Sequence, residues 1–228
     1  MNILAIAQRL RKEASVNGTG PSSVFNQSGE YETLCNYLID AYAEVQRSAE
    51  NWDFLRVEYA KALASGTALY TPTALGLTNL KNWIVNEGDM RVYLTATGVS
   101  DEQHITYVPW IAFKHTYQFG SLQSDTGRPT VFTIKPNNSI KFYPIPDAAY
   151  TLVGECFDKP DVFTLDTDEP IFPGDDFDLL IMWKALNSYG IDYVEANKEA
   201  QGLQEYKSML KLLRFDQLPR IEWGEPLA

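Results

Sequence analysis

One stripe of apolar residues constrains the fold of this chain more than anything else in it. Tyr31, Leu34, Cys35, Leu38, Ala41, Tyr42, Val45, Ala49 and Trp52 recur at spacings of three and four, with polar residues between them. Side chains at that spacing share one face of an α-helix. The stretch therefore predicts a long amphipathic helix with one side to bury. Ser28 stands where an N-cap is wanted, and Glu30 and Glu32 stand where the helix dipole favours acids. A shorter stripe, Ile3, Ile6, Ala7 and Leu10, predicts a first helix from Asn2 to about Ala14. The stretch VNGTGPSSVFNQSG between the two reads as a loop.

Beyond Trp52 the helical period vanishes. From Phe54 to about Gly174 the chain offers short runs rich in β-branched and aromatic residues, such as RVYLTATG, TVFTIKP, SIKFYPI and YTLVGECFD, punctuated by Gly, Pro, Asn and Asp. Runs of this length with turn signals between them predict a small antiparallel sandwich or barrel. PWIAFKHTYQFG is an exception, a short helix opened by Pro109 and closed by Gly120. The helical period returns at Pro173. Asp175, Asp176 and Asp178 suit a helix start, Leu179, Met182, Trp183, Leu186, Tyr189 and Tyr193 line one face, and Leu180, Ile181 and Ala185 widen it. A last helix spans about Lys198 to Leu213. RFDQLPRIEWGEPLA, with two prolines and a glycine, is expected to be extended.

Helices at both ends around a β-rich middle predict an α+β fold. Two N-terminal helices alone bury too little surface to stand apart. The expected arrangement is a helical bundle built from both chain ends, residues 1–54 and 172–228, with an inserted antiparallel β-sandwich or barrel domain at 55–171. A bundle tolerates such an insert when the insert's ends lie close together.

The chemistry-bearing residues are sparse. There are two histidines, His104 and His115, and no HExxH pair, glycine-rich phosphate loop or GxSxG elbow. Cys35 and Cys156 sit among apolar neighbours and read as buried thiols, with Cys35 on the apolar stripe of its helix. Asp166, Asp168 and Glu169 resemble the start of a calcium loop, but Pro170 and Phe172 fall where a ligand and a glycine turn should follow. No enzyme activity, cofactor or metal is expected. The net charge of −11 repels phosphate backbones, and Arg9, Arg11 and Lys12 are the nearest approach to a basic patch. No run reaches the roughly 18–20 apolar residues of a membrane span. The N-terminus lacks the basic start, apolar run and small-residue site of a signal peptide.

The aromatic content admits a second reading, a glycan-binding β-sandwich module of a virion or cell-surface protein, which requires exposed coplanar rings on the β domain. Trp52, Trp110 and Trp183 lie within apolar patterns and read as core. Trp83 and Trp223 are less well explained by a core.

Four stretches together resemble a known family. They are NWDFLRVEYAKAL, the GRP triplet leading through a strand and polar turn to FYPIPD, the run DEPIFPGDDFDLLIMWKAL, and the YKSMLKLLR helix with its C-terminal tail. In order and over most of the chain, the sequence resembles the head-to-tail adaptor proteins of tailed bacteriophages, also called connector, head completion or neck proteins. The resemblance implies a structural virion protein made in the host cytoplasm and located at the neck. It implies a ring of about twelve copies under the portal, with the helical bundles toward the portal and the β domain toward other tail and neck proteins. DNA would pass through the lumen without sequence-specific binding, and no membrane is involved. The C-terminal tail of such proteins packs into the portal or a neighbouring subunit. In this chain that assigns the contact to Arg214, Phe215, Leu218, Ile221 and Trp223, and periodicity offers no core for the last four, which are apolar. The polar tip Asn137-Asn138 of the hairpin between Gly127 and Leu152 is a second candidate contact. Pro129, Pro144 and Pro146 stiffen that hairpin's ends and discourage edge pairing.

Overall fold

In the computed structural model, residues 1–85, 90–174 and 177–217 are described. In chain order the elements are α1 (Ile3–Glu13), α2 (Glu30–Arg47), β1 (Arg56–Leu63), β2 (Leu69–Tyr70), β3 (Leu80–Trp83), β4 (Arg91–Leu94), β5 (Gln103–His104), β6 (Thr106–Tyr107) and α3 (Trp110–Tyr117). There follow β7 (Thr126–Gly127), β8 (Val131–Ile134), β9 (Ile140–Tyr143), β10 (Ile145–Pro146), β11 (Tyr150–Asp158), α4 (Asp178–Asp192) and α5 (Ala196–Gln217). The fold is α+β, and the chain divides into two compact units, Met1–Leu55 with Pro160–Ala228, and Arg56–Lys159.

The helical unit resumes at Pro160, earlier than the expected 172, because residues 160–171 are tied to α2. Phe163 stacks on Tyr42 with ring centroids 4.1 Å apart. The Gln46 amide donates to the Asp161 carbonyl at 3.0 Å and accepts from the Asp161 N–H at 2.7 Å. Gln46 is fully buried, and these bonds satisfy it.

The Asn2 side chain caps α1 by accepting from the Ala5 N–H at 2.9 Å, and Ile3, Ile6, Ala7 and Leu10 are all buried. Ser28 does not cap α2. The turn into that helix is made by Gly29 at φ +66°, a left-handed conformation that puts glycine at the cap position. Helix α2 stops at Arg47, so Trp52 joins the core from the turn beyond it. Trp52 is fully buried, and its indole N–H donates to the Gln46 carbonyl at 3.1 Å.

Helix α4 packs on α1, α2 and α5. Three neighbours bury more of it than one stripe. Leu180, Ile181, Met182, Ala185, Leu186 and Tyr189 are enclosed, while Leu179 and Trp183 are half-buried and Tyr193 is exposed. The α4–α5 approach is close enough to require glycine. A Cβ at Gly190 would lie 2.3 Å from the Glu199 backbone nitrogen, and one at Gly202 would lie 2.5 Å from that of Asn187. The Asn187 side chain donates to the Glu199 carbonyl at 3.0 Å across the same contact.

In the β unit, β11 is the spine of the larger sheet. Strand β1 pairs antiparallel along its length, from Arg56 opposite Phe157 to Leu63 opposite Tyr150. On the other edge β4 takes the first half of β11 and β3 the last residues, with β5 beyond β4. The second sheet runs β2-β9-β8-β6, centred on the β8–β9 hairpin. Alternation along β11 turns Tyr150, Leu152, Gly154 and Cys156 inward. With Tyr59, Leu63, Trp83 and Val92 they meet Tyr70, Phe132, Ile140 and Phe142 of the second sheet in one core. Among the described residues most pairings are antiparallel, as expected, and two are parallel. Strand β6 runs parallel to β8, and β7 parallel to β10. For β6 and β8 the reason is the intervening α3 segment, which returns the chain to the sheet in the same direction.

The tryptophans redistribute accordingly. Trp83 is core, its ring edge-on to Tyr59 at 5.8 Å, whereas Trp110 and Trp183 are only half-buried.

Candidate interaction surfaces

Helix α5 continues to Gln217, so Arg214 and Phe215 occupy its last turn and are not extended. Leu213 is buried there, while Leu212 and Phe215 remain 59% and 68% exposed. The Arg214 guanidinium donates to the Ser48 carbonyl at 3.2 Å. Leu218, Ile221 and Trp223 lie outside the described residues, as do Asp175 and Asp176. The structure thus brings Arg214 and Phe215 to one helix end, beside an exposed leucine.

The hairpin tip is built to hold shape. Lys135 N–H donates to the Ser139 carbonyl at 2.8 Å, and Asn138 N–H to the Lys135 carbonyl at 2.9 Å. Asn138 adopts φ +64°, a conformation asparagine tolerates better than most residues. Its carbonyl accepts the Trp83 indole N–H at 3.0 Å. Asn138 is therefore fixed internally, and Asn137 is the exposed member of the pair.

The GRP triplet has a mechanical role that its sequence did not disclose. Arg128 forks onto Asp101, with Nη1 to Oδ1 at 3.1 Å and Nη2 to Oδ2 at 2.5 Å, and Nη2 also reaches the Asp101 carbonyl at 2.6 Å. Asp101 in turn accepts the Leu94 N–H at 2.9 Å. The clip joins the end of β4 to the start of the β8 hairpin. Arg128 hydrogen bonding holds the Asp101 carboxyl below the usual carboxylate range.

The groups that would carry chemistry are dispersed or spent. His104 and His115 are both exposed. Cys35 and Cys156 are free and buried, in different units, and burial pushes each thiol up to about 11. Asp166 accepts from Ser23 Oγ and the Val24 N–H, and Asp168 from the Thr164 and Leu165 N–H groups. Among the described residues no three His, Cys, Asp or Glu side chains gather as a metal set would need. Arg11 donates to the Val16 and Gly18 carbonyls, which ties it to its own loop. Among the described residues no helix is long and apolar enough to cross a membrane. Among the described aromatics of the β unit Phe119 is the most exposed, while Tyr93, Tyr107, Trp110, Tyr117, Tyr143 and Phe157 are half-buried.

The segment from Trp110 to Ser124 is the most conspicuous surface of the β unit. It exposes Ile111 at 72% and Phe119 at 78%, and Leu122 is exposed beside them in sequence. Scattered apolar side chains are ordinary, but a concentration in one short segment marks a contact surface. Phe113 anchors the segment, fully buried and tilted against Tyr117, whose ring meets Tyr143 at 4.5 Å.

A search of curated proteins finds no match to this chain. A family model described as SU10 adaptor protein matches residues 1–228, the whole length.

Proposed function

Because the chain belongs to the SU10 adaptor protein family, a family of phage head-to-tail adaptors, we propose that it forms a ring beneath the portal at the capsid vertex, continues the DNA channel and offers the surface on which the tail assembles. The reading assigns the ring about twelve copies, places it at the virion neck, and gives it no catalytic step. A net charge of −11 suits a lumen through which DNA must slide without being held.

The observation that carries the portal contact is the end of α5. Leu212 and Phe215 are exposed on its last turns, and an apolar stretch with Leu218, Ile221 and Trp223 follows directly in sequence. Each such side chain contributes about 1.5–3 kcal/mol when a partner buries it. The portal, or a neighbouring subunit seated on it, supplies that burial.

The test is assembly of the full chain on purified cognate portal rings, followed by sedimentation velocity and negative-stain microscopy. The full chain is expected to add a ring to the portal. A variant ending at Gln217 keeps α5 intact and is expected to melt like the full chain but bind the portal at least tenfold more weakly. Undiminished assembly by that variant would remove the C-terminal contact from the reading. A full chain that ignores the portal would remove the reading itself.

A further inference from the structure

Residues 103–146 hold four of the chain's 19 lysines and arginines but only one of its 30 acids, Asp125. This stretch is net +3 within a chain of net −11, so the remainder of each copy carries −14. Arg128 is neutralised by Asp101, and Asp125 is engaged by the Tyr143 hydroxyl at 2.8 Å. Lys114, Lys135 and Lys141 have no acidic partner among the described residues. Lys135 lies over the Trp110 ring at 5.3 Å. Lys141 is half-buried, and burial together with the charge of Lys135 makes its ammonium harder to keep than usual.

Lys141 lines a pocket of about 100 Å³ between α3 and β9, walled by Phe113, Tyr117, Phe142 and Ile145. Gln118 lines the same pocket, and its amide nitrogen is buried without an acceptor. The lining is mixed, since Gln123 and Tyr143 also belong to it, and Lys141 with the unpaired Gln118 amide N–H supplies donors that an acceptor of carboxylate size would satisfy. The pocket is well below the roughly 300–1,000 Å³ of small-molecule sites. Its surrounding segment exposes Ile111 and Phe119, which a protein surface would cover.

We propose that the pocket between α3 and β9 accepts an aspartate or glutamate side chain of a second copy of this chain, so that Lys141 and Gln118 form part of the contact between neighbouring subunits. The choice of a second copy rests on charge, since −14 of every copy lies outside the basic stretch. Such a contact joins two different surfaces, as the head-to-tail interface of a ring does. The identity of the assembly rests on the adaptor reading above.

A zero-length carbodiimide cross-link tests this, because it joins an amine to a carboxylate only where they touch. Equal amounts of 15N-labelled and unlabelled full-length protein are mixed, assembled on the portal, and separately concentrated without it. Isotopically mixed peptides linking Lys141 to an acid of another copy are expected. Lys141→Met is expected to need about tenfold more protein for half-assembly, the weight of one desolvated pair. Lys141→Arg is expected to recover most of the loss, and both variants are expected to keep the wild-type melting temperature. Rings that form on the portal with no such link, or with Lys141 linked only to the portal or within its own copy, overturn this contact while leaving the adaptor reading intact. Absence of self-association in both settings overturns both.

Discussion

Gly202→Ala sets two effects of known sign against each other. On an isolated helix, replacing glycine by alanine is favourable by about 1 kcal/mol, and Gly202 lies well inside α5. The added methyl, however, would sit 2.5 Å from the Asn187 nitrogen, 2.8 Å from the Trp183 carbonyl oxygen and 2.9 Å from the Asn187 Cα. All three are backbone atoms of α4, so no side-chain rotation relieves the overlap. To reach ordinary contact the helices must separate by roughly 1 Å, and a gap of that size forfeits about a quarter to a half of each dispersion contact it opens. Overpacking of this kind costs about 1–3 kcal/mol. The Asn187–Glu199 hydrogen bond spans the same contact and contributes about 1 kcal/mol more when stretched. The steric term wins, and the variant is expected to lose about 1–3 kcal/mol net of the propensity gain. At this chain length each kcal/mol lowers the melting temperature by about 2–4 °C. The assay is thermal unfolding followed by far-UV circular dichroism at the helical minimum, since the two units need not unfold together. Ala200→Gly, at an exposed position of the same helix, serves as the control and is expected to lose about 1 kcal/mol by propensity alone. A Gly202→Ala protein that melts at or above the wild-type temperature would refute the close helix approach.

Two smaller perturbations address the β unit. Asp101 has its carboxyl held low by Arg128, so its contribution is present above the unfolded carboxylate value near pH 4 and is lost as pH falls through the folded value. Asp101→Asn should therefore be less stable than wild type at neutral pH and should lose less stability on acidification, which urea melts across pH 7 to 3 would show; parallel pH curves would contradict the clip. Trp83→Phe removes the donor to the Asn138 carbonyl and leaves a small cavity, and is expected to cost about 1–3 kcal/mol. Hydrogen exchange at Ser139 and Ile140 should accelerate in that variant, and unchanged protection there would mean that the turn does not depend on the indole.

Much of the architecture could be read from periodicity because burial imposes it residue by residue. The α1 and α2 stripes and the strand runs from Val131 to Asp158 are local signals of long-range packing. What stayed hidden depends on which partner arrives. The extent of α4 burial is set by three neighbouring helices, and a sequence stripe records only their sum. Gly190 and Gly202 look like weak helix positions until the opposing backbone is in place. Ser28 has the right chemistry for a cap, but Gly29 takes the turn. Trp83 looked unexplained because its burial depends on β11, where its partner Cys156 lies more than seventy positions away in the chain. On the candidate surfaces, the apolar composition of the C-terminus drew attention to Phe215 and the residues beyond it, but the helical setting of Arg214 and Phe215 was not legible. The Lys141–Gln118 pocket left only one trace in the sequence, the scarcity of acids between Gln103 and Pro146.

The full-length pairing of β1 with β11 also has a mechanical consequence. Chain enters the β unit at Arg56 and leaves just after Asp158, and Arg56 lies opposite Phe157 at the same end of the antiparallel ladder. Tension applied through those two connections pulls adjacent strand ends apart and loads the rungs singly, in a peeling mode, instead of loading all of them together in shear. The ion pair from Arg56 to Glu155, two residues further along β11, braces that end diagonally. Resistance of the β unit to traction through its two ends therefore depends first on this end of the ladder, where β3 also holds the last residues of β11, more than on the size of the core behind it.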